Sequence, residues 1–393
     1  MNIIRSVDRY EAWLKRQLKG EIVAKDLKKK HKKIAQDAFV FLRGTYWRWA
    51  ETILEVCPDL KDAPQLLAVG DIHIENFGTW RDTDGRLIWG VNDFDEAARM
   101  PYALDIARLA TSAVLADTSL SDRRICDSLL EGYRAGIADP KPFVLDRANA
   151  RLREISVVDE AARTEFWQKF DPVEIRKRQP KNVTPISVRR LPPHYESVLE
   201  QSRPDKSVSF RYFARAAGTG SLGRPRIFGS GDWRGDLIVR EAKAIVPSGW
   251  VRAHGGSGKP RCEEIASGRY RSPDPTYRLH GRVLVRRLSP NDFKIEAKQK
   301  RESAGSKKGR RPAIEQENPK AVDRPDLVNA DMLFDMGRDI AAIHRATPDR
   351  RKAITGDLKR RGNGWLLAAV KAAARSVRVE FSEWQAHCDR KSE

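Results

Sequence analysis

An α+β fold of two lobes is the architecture this sequence predicts, on three observations. Helical patterning dominates the first part of the chain, short strand-like runs cluster between about residues 206 and 295, and helical patterning returns after residue 329. Such segregation of strands and helices is the mark of an α+β arrangement. With 393 residues and 40% hydrophobic side chains, the chain can bury a sizeable core, and its length favours two units over one.

Residues 1–60 read as an N-terminal helical segment, in which KDLKKKHKK gives way to the aromatic-rich IAQDAFVFLRGTYWRWAETILEV. Lys25 to Lys33 read as a solvated, basic helix face. Residues 61–205 read as a helical lobe built around one hairpin. QLLAVGD is an apolar run ending at Gly70, and FGTW and RLIWGVND are strands joined by the turn residues Asp82 to Gly85. YALDIARLATSAVLADTSL then reads as a buried helix, and SDRRICDSLLEGYRAGI as an amphipathic one capped by Ser121. Residues 171–207, rich in Pro, Arg, Lys and Glu, are expected to connect the lobes.

From 206 to 295 the runs SVSFRYFARAA, RPRIFG, DLIVREAKAI and GRVLVRRLS predict a small β-rich lobe. Residues 296–328 lack aromatics and carry dense basic charge, so a mobile insertion is expected there. Residues 329–393 return to helix: Asp331 is expected to cap DMLFDMGRDIAAIHRA, where Leu333, Met336, Ile340 and Ile343 recur at helical spacing.

The formal net charge of +20 fits weak contact with polyanions, whether nucleic acid, acidic membrane surface or nucleotide phosphate. Cys57, Cys126, Cys262 and Cys388 lie far apart, without a CxxC pair, which argues against a disulfide framework or a zinc knuckle. The N-terminus has no apolar signal core and no stretch reaches the roughly 20 apolar residues of a membrane span. The expectation is a cytoplasmic protein.

Phosphoryl transfer needs a carboxylate beside the attacking group and oxygen ligands that hold magnesium against phosphates. Asp71 and Asn76, five residues apart in GDIHIENFG, match the spacing of catalytic Asp and magnesium-binding Asn in kinase catalytic loops. A hairpin later, Asp93 precedes Phe94 in VNDFDE, as the second metal-binding aspartate of kinases does, with Asp95 a further oxygen ligand. His73 forms an Asp-x-His pair with Asp71, but no second His lies nearby and Asn76 is a poor zinc ligand, so it is assigned to the loop scaffold. Asp82, Asp84 and Gly85 resemble the opening of a calcium loop but lack its later Glu, and are read as a turn.

Gly218, Gly220 and Gly223, with Ser221 between them in GTGSLG, form a loop whose amides can approach phosphates. Strand-like RIFG follows, so the order is strand, glycine loop, strand, as in kinases. A cation on the next strand should hold the phosphates, and DLIVREAKAI offers Arg240 and Lys243, which cannot share one face of a regular strand. Arg240 continues the alternation from Ile238, whereas Lys243 is expected to need a bulge near Ala242. Glu263 or Glu264 could pair with the inward cation.

On these stretches the chain resembles the bacterial family called domain of unknown function 2252 (DUF2252). They are FVFLRG (39–44), GDIHIENFG (70–78), VNDFDEAARMPYALDIARL (91–109), GTGSLG, the REA of VREAKA, VRRL (285–288) and the helix ending AAIHRA. GDIHIEN and NDFDEA with LDIARL are also similar to the loops HGDxHxxN, IDFxDA and DLA of aminoglycoside and choline kinases. That similarity implies Asp71 as base, Asn76 and Asp93 as magnesium ligands, Asp105 as a support for the loop, and ATP with Mg2+ as cofactors.

Two departures stand out. The glycine loop lies about 140 residues after the catalytic loop instead of before it, which a circularly permuted, two-lobed, protein-kinase-like fold would explain. Arg240 stands where the family usually shows lysine before Glu-Ala. Arg43 of FVFLRG either reaches the site or packs its helix on the loop. The leading expectation is an ATP-dependent phosphotransferase acting on an acceptor hydroxyl of a small molecule or protein. The alternatives are a nucleotide-sensing pseudokinase or polyanion-binding protein, and a nucleotidyl (AMP) transferase on the same fold.

Overall fold

The computed structural model describes residues 1–295, 328–346 and 350–391; apart from Val328, the expected insertion at 296–328 lies outside them. Four helices open the chain: Ile3–Gln17, Ala24–Ile34, Ala38–Gly44 and Tyr46–Val56. The first starts where the Asn2 side chain accepts from Arg5 N, and buries Ile3, Val7, Tyr10 and Leu14 along one stripe. The second differs from the expected solvated face. Asp26, Lys30 and Ile34, spaced four apart, turn inward, and Lys30 is only 2% exposed.

After Gly44 and the tryptophan-rich fourth helix comes β1 (Gln65–Ala68), then a hairpin of β2 (Phe77–Arg81) and β3 (Leu87–Val91), then β4 (Ala98–Pro101), which returns to pair with β1. The hairpin turns where expected, because the Asp82 carboxylate accepts from the amides of Asp84 and Arg86. Helices Ala103–Leu115 and Asp122–Ala138 follow, the second capped by Ser121, and β5 (Phe143–Val144) adds to β3.

The six-stranded antiparallel sheet runs β10-β11-β9-β8-β7-β6. Its strands are β6 (Val183–Ile186), β7 (Arg211–Arg215), β8 (Arg226–Trp233), β9 (Asp236–Ala244), β10 (Arg278–His280) and β11 (Val283–Leu288). β8 and β9 are joined by Arg234-Gly235, both at positive φ, a tight turn that matches the twist of the strands.

Residues 171–207 are therefore more than a connection. Val183–Ile186 is an edge strand, and helices Glu160–Phe170 and Pro172–Arg178 lay Phe170 and Ile175 on one face of the sheet with Val183, Phe213, Phe228 and Val239. Helix Pro193–Gln201 packs on the other face, against β9. Extended, proline-rich spacing hid a strand that is half exposed.

Helix Ala330–His344 is capped by Asn329, whose side chain accepts from Met332 N, so Asp331 stands inside the first turn instead of at the cap. It crosses Asp122–Ala138 closely enough that a Cβ on Gly132 would stand 1.9 Å from Phe334 O, and one on Gly337 2.3 Å from Leu129 O. Helices Arg351–Arg361 and Trp365–Arg390 finish the chain, and no described helix is long and apolar enough to cross a membrane.

Candidate functional site

The loop after β1 is built on a turn that only glycine tolerates. Gly70 has φ +82°, and a Cβ there would meet Glu96 O at 2.5 Å and Tyr46 Oη at 2.7 Å. The fully buried Asp105 fixes this turn, accepting from Val69 N at 2.7 Å and Gly70 N at 2.9 Å. His344 Nε2 lies 3.0 Å from Asp105, and its Nδ1 2.9 Å from the Tyr133 hydroxyl, so a helix distant in sequence reaches the carboxylate through an imidazole that Tyr133 orients.

This turn presents Asp71. Its Oδ1 pairs at 2.5 Å with Arg108, a fully buried guanidinium stacked 4.9 Å over the Tyr46 ring. Burial raises the Asp71 carboxyl above its usual range, against the pull of Arg108. Asn76 Nδ2 donates to the Asp71 carbonyl at 2.5 Å, and Asn76 O accepts from Asn92 N, which places the residue before Asp93 beside the loop. His73 is buried edge-on to Phe39, with Nδ1 lacking a partner among the described residues. Burial, then Arg43 and Arg108, push it well below the usual histidine range, so it is neutral. Arg43 does not reach Asp71: it pairs with Glu75 at 2.5 Å, fastening helix Ala38–Gly44 to the loop.

Lys243 Nζ crosses from β9 to Asp95 at 2.6 Å and Asp93 at 3.3 Å. Burial would raise Asp93, but Lys243 and Arg286 more than reverse this and hold it well below the carboxylate range. Asp95 is raised, by burial first and then by the Asp93 charge. Two carboxylates sharing one ammonium thus divide their proton affinity unequally.

β9 is regular, with its register on β8 and β11 unbroken, so no bulge brings Lys243 inward. Val239, Glu241 and Lys243 occupy the site face, and Arg240 the opposite one, where its Nε donates to Ser202 O at 3.1 Å. Arg240 is therefore displaced from the candidate phosphate grip. Glu263 is displaced too: its carboxylate pairs with Arg278 and accepts from Leu279 N instead of from either expected cation. The carboxylate that faces the sheet's cations is Glu241, fully buried and bound by Arg215, Arg226 and Arg286 at 2.7–3.1 Å. A Glu two residues before Lys243 in a strand was the available signal.

The glycine loop lies between β7 and β8 and is bolted down. Gly218 and Gly223 take positive φ, and Ser221 Oγ accepts from Arg226 Nη2. A Cβ on Gly220 would lie 3.4 Å from Asp71 Oδ2 and 3.2 Å from Arg43 O, so the loop covers Asp71. Lys30 Nζ donates to Gly220 O at 2.8 Å and sits 4.7 Å over the Trp47 ring, while Val23 N donates to Gly223 O. Arg224, the next residue, pairs at 2.7 Å with Glu96. Lys30, Arg108, Glu241 and Arg286 were not singled out by sequence; each is a charged residue whose burial depends on a partner far along the chain.

Between Asn92 and Phe94 on one side and the sheet on the other opens a cleft of about 1270 Å³, lined by Trp80, Phe94, Phe166 and Phe293 and by charges of both signs, among them Arg215, Arg286, Lys294, Asp274 and Asp292. No group of three or more His, Cys, Asp or Glu that could hold a metal alone occurs among the described residues. Asn76, Asp93 and Asp95 offer oxygen donors only, a set suited to a hard cation that takes its remaining ligands from water and phosphate.

Fold and site together define an α+β protein with an Asp–Asn loop, a second aspartate pair and a glycine loop at one junction. The chain belongs to the bacterial family described as "Uncharacterized protein conserved in bacteria (DUF2252)", whose profile matches residues 22–230. No curated protein matches the chain. No solved structure matches it either.

Proposed function

We propose that this protein is an ATP-dependent phosphotransferase of two-lobed, protein-kinase-like, circularly permuted fold, acting on an acceptor hydroxyl. The observation that carries the reading is the convergence of Asp71, Asn76, Asp93 and Lys243 at one point, with a strand–glycine loop–strand unit beside it. Permutation is supported by helix Ala330–His344, whose Asp339 accepts from Val91 N at 2.8 Å: a C-terminal helix braces the hairpin that follows the catalytic loop.

With Oδ1 held by Arg108, Asp71 Oδ2 is the oxygen that would take the hydroxyl proton, and a carboxyl raised by burial is the better base. Asn76 has committed its amide nitrogen to the Asp71 carbonyl, so its oxygen would face magnesium with Asp93 and Asp95. Bound Mg2+ and ATP would supply the transferable phosphoryl group and neutralise its charge. Lys243 then has the two aspartates to orient and phosphate to grip.

Thermal unfolding with ATP and magnesium tests this, since a ligand of the folded state must raise the midpoint. A magnesium-dependent rise in wild type that Asp93→Asn abolishes is the expected result; no rise in wild type sinks the reading. A nucleotide sensor is favoured by one observation, Gly220 packed over Asp71, and would show the rise without product. A product heavier by AMP would instead indicate nucleotidyl transfer. Salt-sensitive nucleic-acid binding that survives Asp71→Asn would point to a polyanion-binding protein.

A further inference from the structure

The glycine loop is closed on Asp71, and the second helix of the chain closes it. A methyl-sized group on Gly220 would already fill the gap, at 3.4 Å from Asp71 Oδ2 and 3.2 Å from Arg43 O. A glycine loop that covers phosphates needs them between its backbone and the reacting carboxylate. A phosphoryl group is larger than a methyl, so none fits there while the loop stands where it does.

Helix Ala24–Ile34 holds the loop along its whole length. At its N-cap, Val23 N donates to Gly223 O at 3.0 Å, and a Cβ on Gly223 would lie 2.4 Å from Leu27 Cδ2. In its middle, Lys30 Nζ donates to Gly220 O at 2.8 Å. At its end, Ile34 and the buried Thr219 of the loop meet over Gly44, where a Cβ would stand 2.2 Å from Ile34 Cγ2 and 3.3 Å from Thr219 Cγ2.

The central tie is the one that gives most readily. The Lys30 ammonium is buried against the Trp47 and Tyr10 rings, with Gly220 O its one hydrogen-bond acceptor among the described residues. An ammonium carries three donors, and an enclosed charge with so few bonds is costly to keep. Lifting the loop lets water reach it, which offsets the bond that is lost.

We propose that helix Ala24–Ile34 is an autoinhibitory clamp, which through Lys30 keeps the glycine loop closed on Asp71 until the loop lifts to admit a phosphoryl group. The clamp rests on the phosphotransfer reading for what enters, while the closure is read without any nucleotide.

The test is thiol labelling of the full chain carrying Thr219→Cys, followed at that position by peptide mass spectrometry so that the native cysteines do not interfere. The introduced thiol is buried while the loop is closed and reacts through local opening. Labelling should be slow with Lys30 in place and faster by roughly tenfold or more in Lys30→Met, which removes a hydrogen bond from a charged donor. Leu27→Ala, which trims the packing on Gly223, should act in the same direction. Lys28→Met, an equal loss of charge at an exposed position of the same helix, should leave the rate unchanged. Unfolding midpoints near that of Thr219→Cys alone show that the variants fold. Fast labelling with Lys30 in place, or a rate that neither Lys30→Met nor Leu27→Ala moves, overturns the clamp. Calorimetry with ATP and magnesium reads the inhibition: tighter binding to Lys30→Met than to wild type supports it, and equal binding to both overturns it. If labelling responds as expected but neither protein binds ATP, the closure stands and the phosphotransfer reading fails by itself.

Discussion

Lys243 on β9 and Asp95 after the hairpin form a buried ion pair, 2.6 Å apart, that spans the sheet and the loop-bearing part of the chain. Replacing Lys243 by Met would leave Asp95 beside Asp93 without their shared cation. The expected cost is about 3–5 kcal/mol at pH 8. Because the two carboxylates would then rise above their unfolded pKa values, the deficit should shrink as pH falls towards 5 and they protonate. Urea unfolding at both pH values checks it; an equal loss at each would mean that packing, not charge, is at stake.

Asp105 should be important for folding, through the turn it holds. Asp105→Ala orphans the buried amides of Val69 and Gly70, at about 1–3 kcal/mol each. Asp105→Asn keeps one acceptor oxygen and should lose clearly less. Comparing the two variants by denaturant midpoint tests whether the carboxylate acts through both oxygens.

Lys30 introduces a pH dependence of known sign. Burial, then the Arg224 charge, lower it to about 7 in the folded protein, far below the ordinary lysine value. Between pH 7 and 10 the unfolded chain binds the extra proton, so stability should rise with pH across that window. In Lys30→Met this slope should flatten, read from chemical unfolding at pH 7, 8.5 and 10. An unchanged slope would show that Lys30 stays fully charged in place.

Two glycines at similar φ separate strain from crowding. Gly85, at +78° with open space around it, should lose about 1–2 kcal/mol on change to Ala. Gly70, at +82° against Glu96 O and Tyr46, should lose about 2–5 kcal/mol. Differential scanning calorimetry of the pair resolves the difference.

The Asp71, Asn76 and Asp93 constellation was legible because its geometry is local: five residues of loop and one hairpin decide where each side chain goes. The phase of β9 was not. Both faces of the sheet are covered by helices, so Ile238 and Val239 are equally apolar and alternation could be counted from either. Counting from Ile238 put Arg240 in the site, and counting from Val239 puts Glu241 and Lys243 there. Lys30 was hidden differently, in a helix whose other lysines do face water. Only its spacing of four from Ile34 marked it, and its partner stands on a loop that no local pattern connects to it. The strand at 183–186 was missed because a proline-bearing edge strand has no alternation to read.

The clasp between Lys30 and Gly220 joins residues 190 apart, and this sets an order of events on the ribosome. At common synthesis rates of about 5–20 residues per second, Lys30 would wait roughly 10–40 s for the glycine loop to emerge. Until then Lys30 stays charged in water and Asp71 is uncovered. The cover on Asp71 is therefore a late loop seated on an early helix, and a nascent chain stopped before residue 220 would expose its carboxylate without the cover that the finished protein places on it.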